Sequence, residues 1–161
     1  MPPVLASFRT IPRFLRLSGL VLIGALLTGA PTQARAAGRA ETLEAIHRIE
    51  NPRDLTRPGR YGELGAYQFR RGTWRMHTDV PFEKALDRLQ SEEVAVRHYE
   101  WLRRGLARNG LPQTPYYIAL AWNGGLASVV RGRAPRAAHD YAERVMNLLA
   151  DLSSSRLAAA P

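Results

Sequence analysis

The chain has 161 residues, room for one modest domain with a core of its own. It carries 23 Lys and Arg against 14 Asp and Glu, a formal charge of +9, and it has no cysteine. This excludes a disulfide framework and a cysteine-anchored lipoprotein, and it directs attention to anionic polymers or surfaces as partners.

The first 36 residues differ from the rest. Arg9, Arg13 and Arg16 precede an apolar run over residues 17–30, and Ala34-Arg35-Ala36 offers a small-x-small cleavage site before Ala37. That is the layout of a secretory signal peptide, and the run falls short of the roughly 20 apolar residues of a membrane span, with an uncleaved anchor as the competing reading. The expected organisation is a leader over 1–36, one domain over 37–152 and a frayed, flexible tail over 153–161. The leader holds four arginines and no acid, so its loss takes the charge from +9 to +5. Nucleic acid is the usual partner of a basic chain. Export to the periplasm or beyond argues against it and favours wall material, with no membrane anchor once the leader is cut.

In chain order, residues 40–50 read as a helix with Leu43, Ile46 and Ile49 or Glu50 on one side. Pro52 disfavours α conformation at Asn51 and ends it. Residues 51–60 hold Pro52, Pro58 and Gly59 among Arg53, Asp54, Arg57 and Arg60, and read as a loop. Residues 61–69, with Gly62 and Gly65, have a period nearer two: a short strand, a hairpin or a tight turn. A short helix is expected over 73–77 and another over 81–90, with Asp79 as a possible cap. Ser91 is expected to cap the next helix, whose positions Ala95, Tyr99, Leu102 and Leu106 recur at helical spacing until Asn109-Gly110. Thr114-Pro115 opens a helix that Asn123-Gly124-Gly125 breaks. One or two turns follow over 126–130. The last helix, over 135–152, carries Tyr141, Val145, Leu148 and Leu152 on one face. The fold class is mainly helical, with one small β-hairpin or irregular element after the first helix.

Glu50 is the leading candidate for chemistry. A carboxylate at a helix C-terminus meets the negative end of the helix dipole, and partial burial raises its pKa further, so it can hold a proton near neutrality. Glycoside cleavage needs such an acid at the leaving oxygen. Gly62 and Gly65 allow backbone to approach a bulky ligand. Gln68 and Asn123 pair donors with acceptors, as amide-bearing sugars require. Tyr67, Trp122 and Tyr141 offer flat faces for sugar rings, with core packing as the competing reading for Trp122 and Tyr141.

Four blocks, HRIENP, GELGAYQFRRGTW, ALAWNGG and YAERV, together resemble the lytic transglycosylase (SLT) domain of the lysozyme-like superfamily over about residues 41–150. The resemblance implies a lysozyme-like fold and cleavage of the β-1,4 bond between the sugars of peptidoglycan. It implies that Glu50 is the single acid and then base, that the substrate's N-acetyl group assists, and that a sugar 6-hydroxyl closes a 1,6-anhydro ring. The family's motif positions fall on Gly62, Gly65 and Gln68, on Trp122, Asn123 and Gly125, and on Tyr141 and Val145. Three departures matter, one being Gly65-Ala66-Tyr67-Gln68 where the family has Gly-Leu-Met-Gln. Asn51 replaces the family serine after the glutamate. Trp122 replaces a tyrosine, and an indole only donates where a phenol donates and accepts, so a hydrogen bond tuning Glu50 is expected to be lost or altered.

A second carboxylate would make the enzyme a lysozyme-type hydrolase. Glu63, which could position a water, and Asp54 are the candidates. A non-catalytic wall-binding protein is the alternative from another class. No cofactor or metal is expected: His47, His77, His98 and His139 lack metal-ligand spacing and read as structural or exposed.

Overall fold

The computed structural model describes residues 30–159. The arginine-rich start and nearly all of the apolar run of the expected leader lie outside these residues. The described chain is mainly helical, as the periodicity predicts. None of its helices is long and apolar enough to cross a membrane.

Helix α1 (Ala30–Glu50) starts earlier than residue 40. The added stretch is rich in alanine, the best helix former, and has Pro31 in its first turn, where its missing N–H costs nothing. The other end falls where Pro52 demands. The Asn51 N–H still reaches the His47 carbonyl at 2.8 Å, and the next residue has no N–H to give.

The loop after α1 is held rather than loose. Asn51 is buried, and its side chain donates to the Leu55 carbonyl at 3.0 Å and accepts from the Leu55 N–H at 2.9 Å. Asp54 sits at φ 48°, and its carboxylate lies 2.8 Å from His47 Nε2. Residues 61–69 form a tight turn on one antiparallel bridge, Leu64 to Phe69, the only extended pairing among the described residues. Both N–H groups of that pair donate across it at 3.0 Å.

Helix α2 (Arg71–Arg75) buries Trp74, whose indole N–H donates to the Val80 carbonyl at 2.7 Å. The helix expected over 81–90 is instead a 3₁₀ turn, Phe82–Leu86, which buries Phe82 and Ala85, followed by the start of α3 (Arg88–Arg108). Pro81 rather than Asp79 precedes the turn, and the cap of α3 is Asp87, not Ser91. Asp87 is extended and exposed, and its carboxylate accepts the Gln90 N–H at 3.1 Å. Ser91 lies inside the helix, fully buried under the Gly65 turn, so it cannot stand at a helix start.

Helix α4 (Pro115–Gly124) opens at Thr114-Pro115, as expected, and gives way at Gly125, φ 81°, to α5 (Leu126–Val130). Ile118, Ala119, Leu120 and Ala121 are all buried, so the middle of α4 is covered all round while its end opens on a cleft. Helix α6 (Arg136–Ala159) packs on α4 and α1 through Ala138, Tyr141, Ala142 and Val145. It runs through the segment expected to fray. The hydroxyls of Ser153, Ser154 and Ser155 each donate to the carbonyl four residues back, at 2.9–3.0 Å, and Arg156 pairs with Glu41 of α1.

Candidate active site

Glu50 ends α1 beside Tyr141 of α6. The Tyr141 phenol donates to Glu50 Oε1 at 2.8 Å. Burial is the largest influence on this carboxyl and raises it from 4.5 to about 7. The Tyr141 hydrogen bond and the charge of Arg144 pull it down, and the charge of Glu63 pushes it up slightly. The carboxyl can therefore hold a proton near neutrality. Tyr141 is itself raised, by burial and then by the Glu50 charge, so it remains a donor.

Glu50 lines a cleft of about 570 Å³ together with Glu63, Tyr67, Gln68, Trp122 and Asn123. Residues from α1, the Leu64–Phe69 turn and the end of α4 thus share one concave surface. Gln68 is placed by an uncommon backbone: it is not glycine, yet its φ is 46°. Its amide donates to the Gly65 carbonyl at 2.9 Å, closing the turn on itself. Trp122 stands half-buried on the wall, edge-on to His98 at 4.7 Å and tilted against Phe69 at 5.7 Å and Tyr67 at 6.1 Å. Asn123, one residue on, is exposed to the cleft.

Two of the expected sugar faces belong mainly to the core. Tyr141 is only 2% exposed and does not line the cleft; its contribution is the hydrogen bond to Glu50. Among the described residues Trp122 makes no hydrogen bond to Glu50, in line with the expected loss at that position, and the phenol that bonds Glu50 comes from Tyr141 of α6 instead. Tyr67 touches the cleft but is 4% exposed, and burial raises its phenol to about 12.

Tyr61 has the open aromatic face. It lies on the rim, 69% exposed, with the Arg60 and Arg70 guanidinium groups each 5.4 Å from its ring centroid. An aromatic residue beside glycine in an arginine-rich loop was the signal available for it. His98 also belongs to the wall. Burial, with His77 beside it, lowers it to about 3, so it is neutral; it bonds His77 at 2.9 Å and stacks on Trp101. Its position on the buried face of α3, next to Val94, Ala95 and Tyr99, marked it as internal.

Glu63, the candidate second carboxylate, lines the same cleft with both oxygens engaged. One accepts the Tyr61 N–H at 2.8 Å and the other the Arg70 guanidinium at 3.3 Å. Burial tends to raise it, but these donors outweigh burial and hold it below the usual range. Asp54, the other candidate, lines neither this cleft nor the Glu50 carboxyl's surroundings; it is committed to His47 and Arg88.

Tyr141→Phe is the direct test of the tuning contact. The bond lowers the Glu50 pKa, so its loss should raise that pKa further, and titration of Glu50 by NMR should show the upward move. An unchanged midpoint would mean that the phenol does not tune the acid.

Comparison of the chain with protein-family models, curated proteins and solved structures gave no match.

Proposed function

We propose that the protein is an exported enzyme that cleaves peptidoglycan glycan strands by lytic transglycosylation, with Glu50 as its only acid and base. The observation that carries this reading is a carboxyl poised at about 7 in a cleft lined by amide and aromatic side chains. A proton held at that pKa is available to a leaving oxygen at neutral pH, and the resulting carboxylate is still basic enough to recover one.

In the proposed reaction Glu50 gives its proton to the glycosidic oxygen as the bond to the anomeric carbon breaks. The carboxylate then takes the proton of the same sugar's 6-hydroxyl while that oxygen bonds to the anomeric carbon. No water is consumed, and Glu50 ends protonated, as it began. Gln68 and Asn123 suit the acetamido groups of the sugars, and Tyr61 and Trp122 offer them apolar faces. Tyr141 positions the carboxyl. Export and a wall location belong to the same proposal and rest on residues 1–36.

The bonds from Tyr61 and Arg70 favour the one-glutamate form, because they tie Glu63 to the rim and occupy both its oxygens. Glu63→Gln should therefore cost less than about tenfold in lysis, against the roughly 10²–10⁴-fold expected of an acid or base. A loss equal to that of Glu50→Gln would indicate a two-carboxylate hydrolase. Mass spectrometry of the fragments separates the products directly, since anhydro ends are lighter than reducing ends by one water. A zymogram without lysis, beside retention on insoluble wall, would instead make the protein a wall-binding module.

A further inference from the structure

A second hollow, of about 440 Å³, opens beside the first and shares Glu50, Gly59, Arg60 and Gln68 with it. The two form one groove with the candidate acid at the joint. The character changes across that joint: the first arm offers amides and aromatic rings with Arg60 and Arg70 at its rim, whereas the second adds Arg53 and Arg57 to the shared Arg60 and has no aromatic ring in its lining. Among the described residues no carboxylate lies within ion-pair distance of Arg53, Arg57 or Arg60. The acid within their own loop, Asp54, is bound to His47 at 2.8 Å and Arg88 at 3.4 Å.

We infer that this arginine-lined arm binds the free carboxylates of peptide stems on the glycan strand, making the protein selective for acidic stems over amidated ones. The inference rests on the glycan-strand reading proposed above. Sugar hydroxyls and acetamido groups give no reason for three guanidinium groups, whereas a carboxylate meets a guanidinium through two parallel hydrogen bonds. Guanidinium groups gathered around one hollow repel one another, and an anion between them relieves that repulsion. A strand lying along the groove with its scissile bond at Glu50 sets its neighbouring substituents against this arm.

The backbone that presents the arginines is already fastened. Asn51 grips Leu55 through both its amide atoms, Asp54 N–H donates to the Asn51 carbonyl at 3.0 Å, and Gly59 N–H donates to the Glu63 carbonyl at 2.8 Å. Pro52 and Pro58 restrict it further. Little ordering of the loop backbone is left for binding to accomplish.

The test uses the Glu50→Gln protein, so that binding is read without cleavage, on insoluble wall freed of phosphate polymers. One portion keeps its stem carboxylates and the other has them amidated with carbodiimide and ammonia. Amidation should weaken binding about tenfold, equivalent to about 1.4 kcal/mol. Adding Arg53→Gln, Arg57→Gln and Arg60→Gln should bring binding of both walls to the weaker level. Arg104→Gln, Arg108→Gln and Arg133→Gln remove the same charge from outside the groove, and they should leave the preference intact.

Equal binding of both walls by the parent overturns the inference. So does a control triple that loses the preference as fully as the groove triple, since bulk charge would then explain it. Fragment release by the unsubstituted protein reads the catalytic proposal separately. A stem preference without fragments from either wall removes catalysis and leaves the arm, whereas fragments without a preference remove the arm and leave catalysis.

Discussion

Glu50→Gln should abolish the release of soluble wall fragments and also make the protein more stable at alkaline pH. Glutamine keeps the size of the side chain and an oxygen to accept from Tyr141, but it carries no transferable proton. Loss of an acid–base group typically costs about 10²–10⁴-fold in rate. The stability effect follows from the same pKa. Glu50 titrates at about 7 in the folded chain against 4.5 as its ordinary value. The folded state therefore binds this proton more tightly than the unfolded state. Its contribution is fully present below pH 4.5, declines as pH rises, and is gone above about 7. The difference is of the order of 3 kcal/mol, or roughly 10 °C in Tm for a domain of this size. Thermal melts of the two proteins should thus agree at pH 4 and separate by pH 8, with the glutamine variant higher. Curves separated by the same amount at both pH values would mean that Glu50 is not the buried, late-ionising group described here.

Gly65→Ala should be the most disruptive single substitution near the cleft. Gly65 has φ 78°, and a Cβ there would stand 1.8 Å from the carbonyl oxygen of Ala85. That oxygen belongs to the backbone of the 3₁₀ turn and cannot swing aside as a side chain would. Backbone strain alone accounts for roughly 1–2 kcal/mol, and displacing the turn should take the total above about 4 kcal/mol. Gly62 is the control. It has nearly the same φ, 77°, but nothing within 4 Å of its added carbon, so Gly62→Ala should cost only the roughly 1–2 kcal/mol of strain. Urea denaturation of both variants measures the difference. Equal losses would show that conformation, not close approach of the turn to Ala85, dictates glycine at 65.

The elements legible in the sequence were those fixed by local chemistry. Pro52 set the end of α1, Thr114-Pro115 the start of α4 and Asn109-Gly110 the end of α3, because each acts on its own backbone within a residue or two. The cap of α3 was less legible. Asp87 and Ser91 are both cap-type residues one helical turn apart, and what separates them is the Gly65 turn covering Ser91, which arrives from elsewhere in the chain. The end of α6 was misread for a related reason. A chain end raises the expectation of fraying, but here the serine hydroxyls have helix carbonyls to bond and Arg156 has Glu41 to meet.

The same limit applied to the candidate site. Glu50, Gln68, Trp122, Asn123 and Glu63 could be gathered from motif order, and they do line one cleft. The tasks of the three tyrosines could not be assigned that way. Composition cannot say which aromatic ring faces a cleft and which lies beneath it. The packing of α6 against α1 puts Tyr141 underneath, whereas Tyr61 stands out on the loop between α1 and α2.

The Tyr141–Glu50 bond joins positions 91 residues apart in the chain. A nascent chain that has emerged only as far as α5 lacks the phenol that bonds Glu50. The bond that positions the candidate acid forms only when α6 packs on α1, so the helix that bears Glu50 does not carry it alone. In the proposed enzyme, lytic capability would thus be withheld from partly made or partly unfolded chains without any inhibitor. For the proposed wall-cleaving enzyme, completion of the fold would itself be the safeguard.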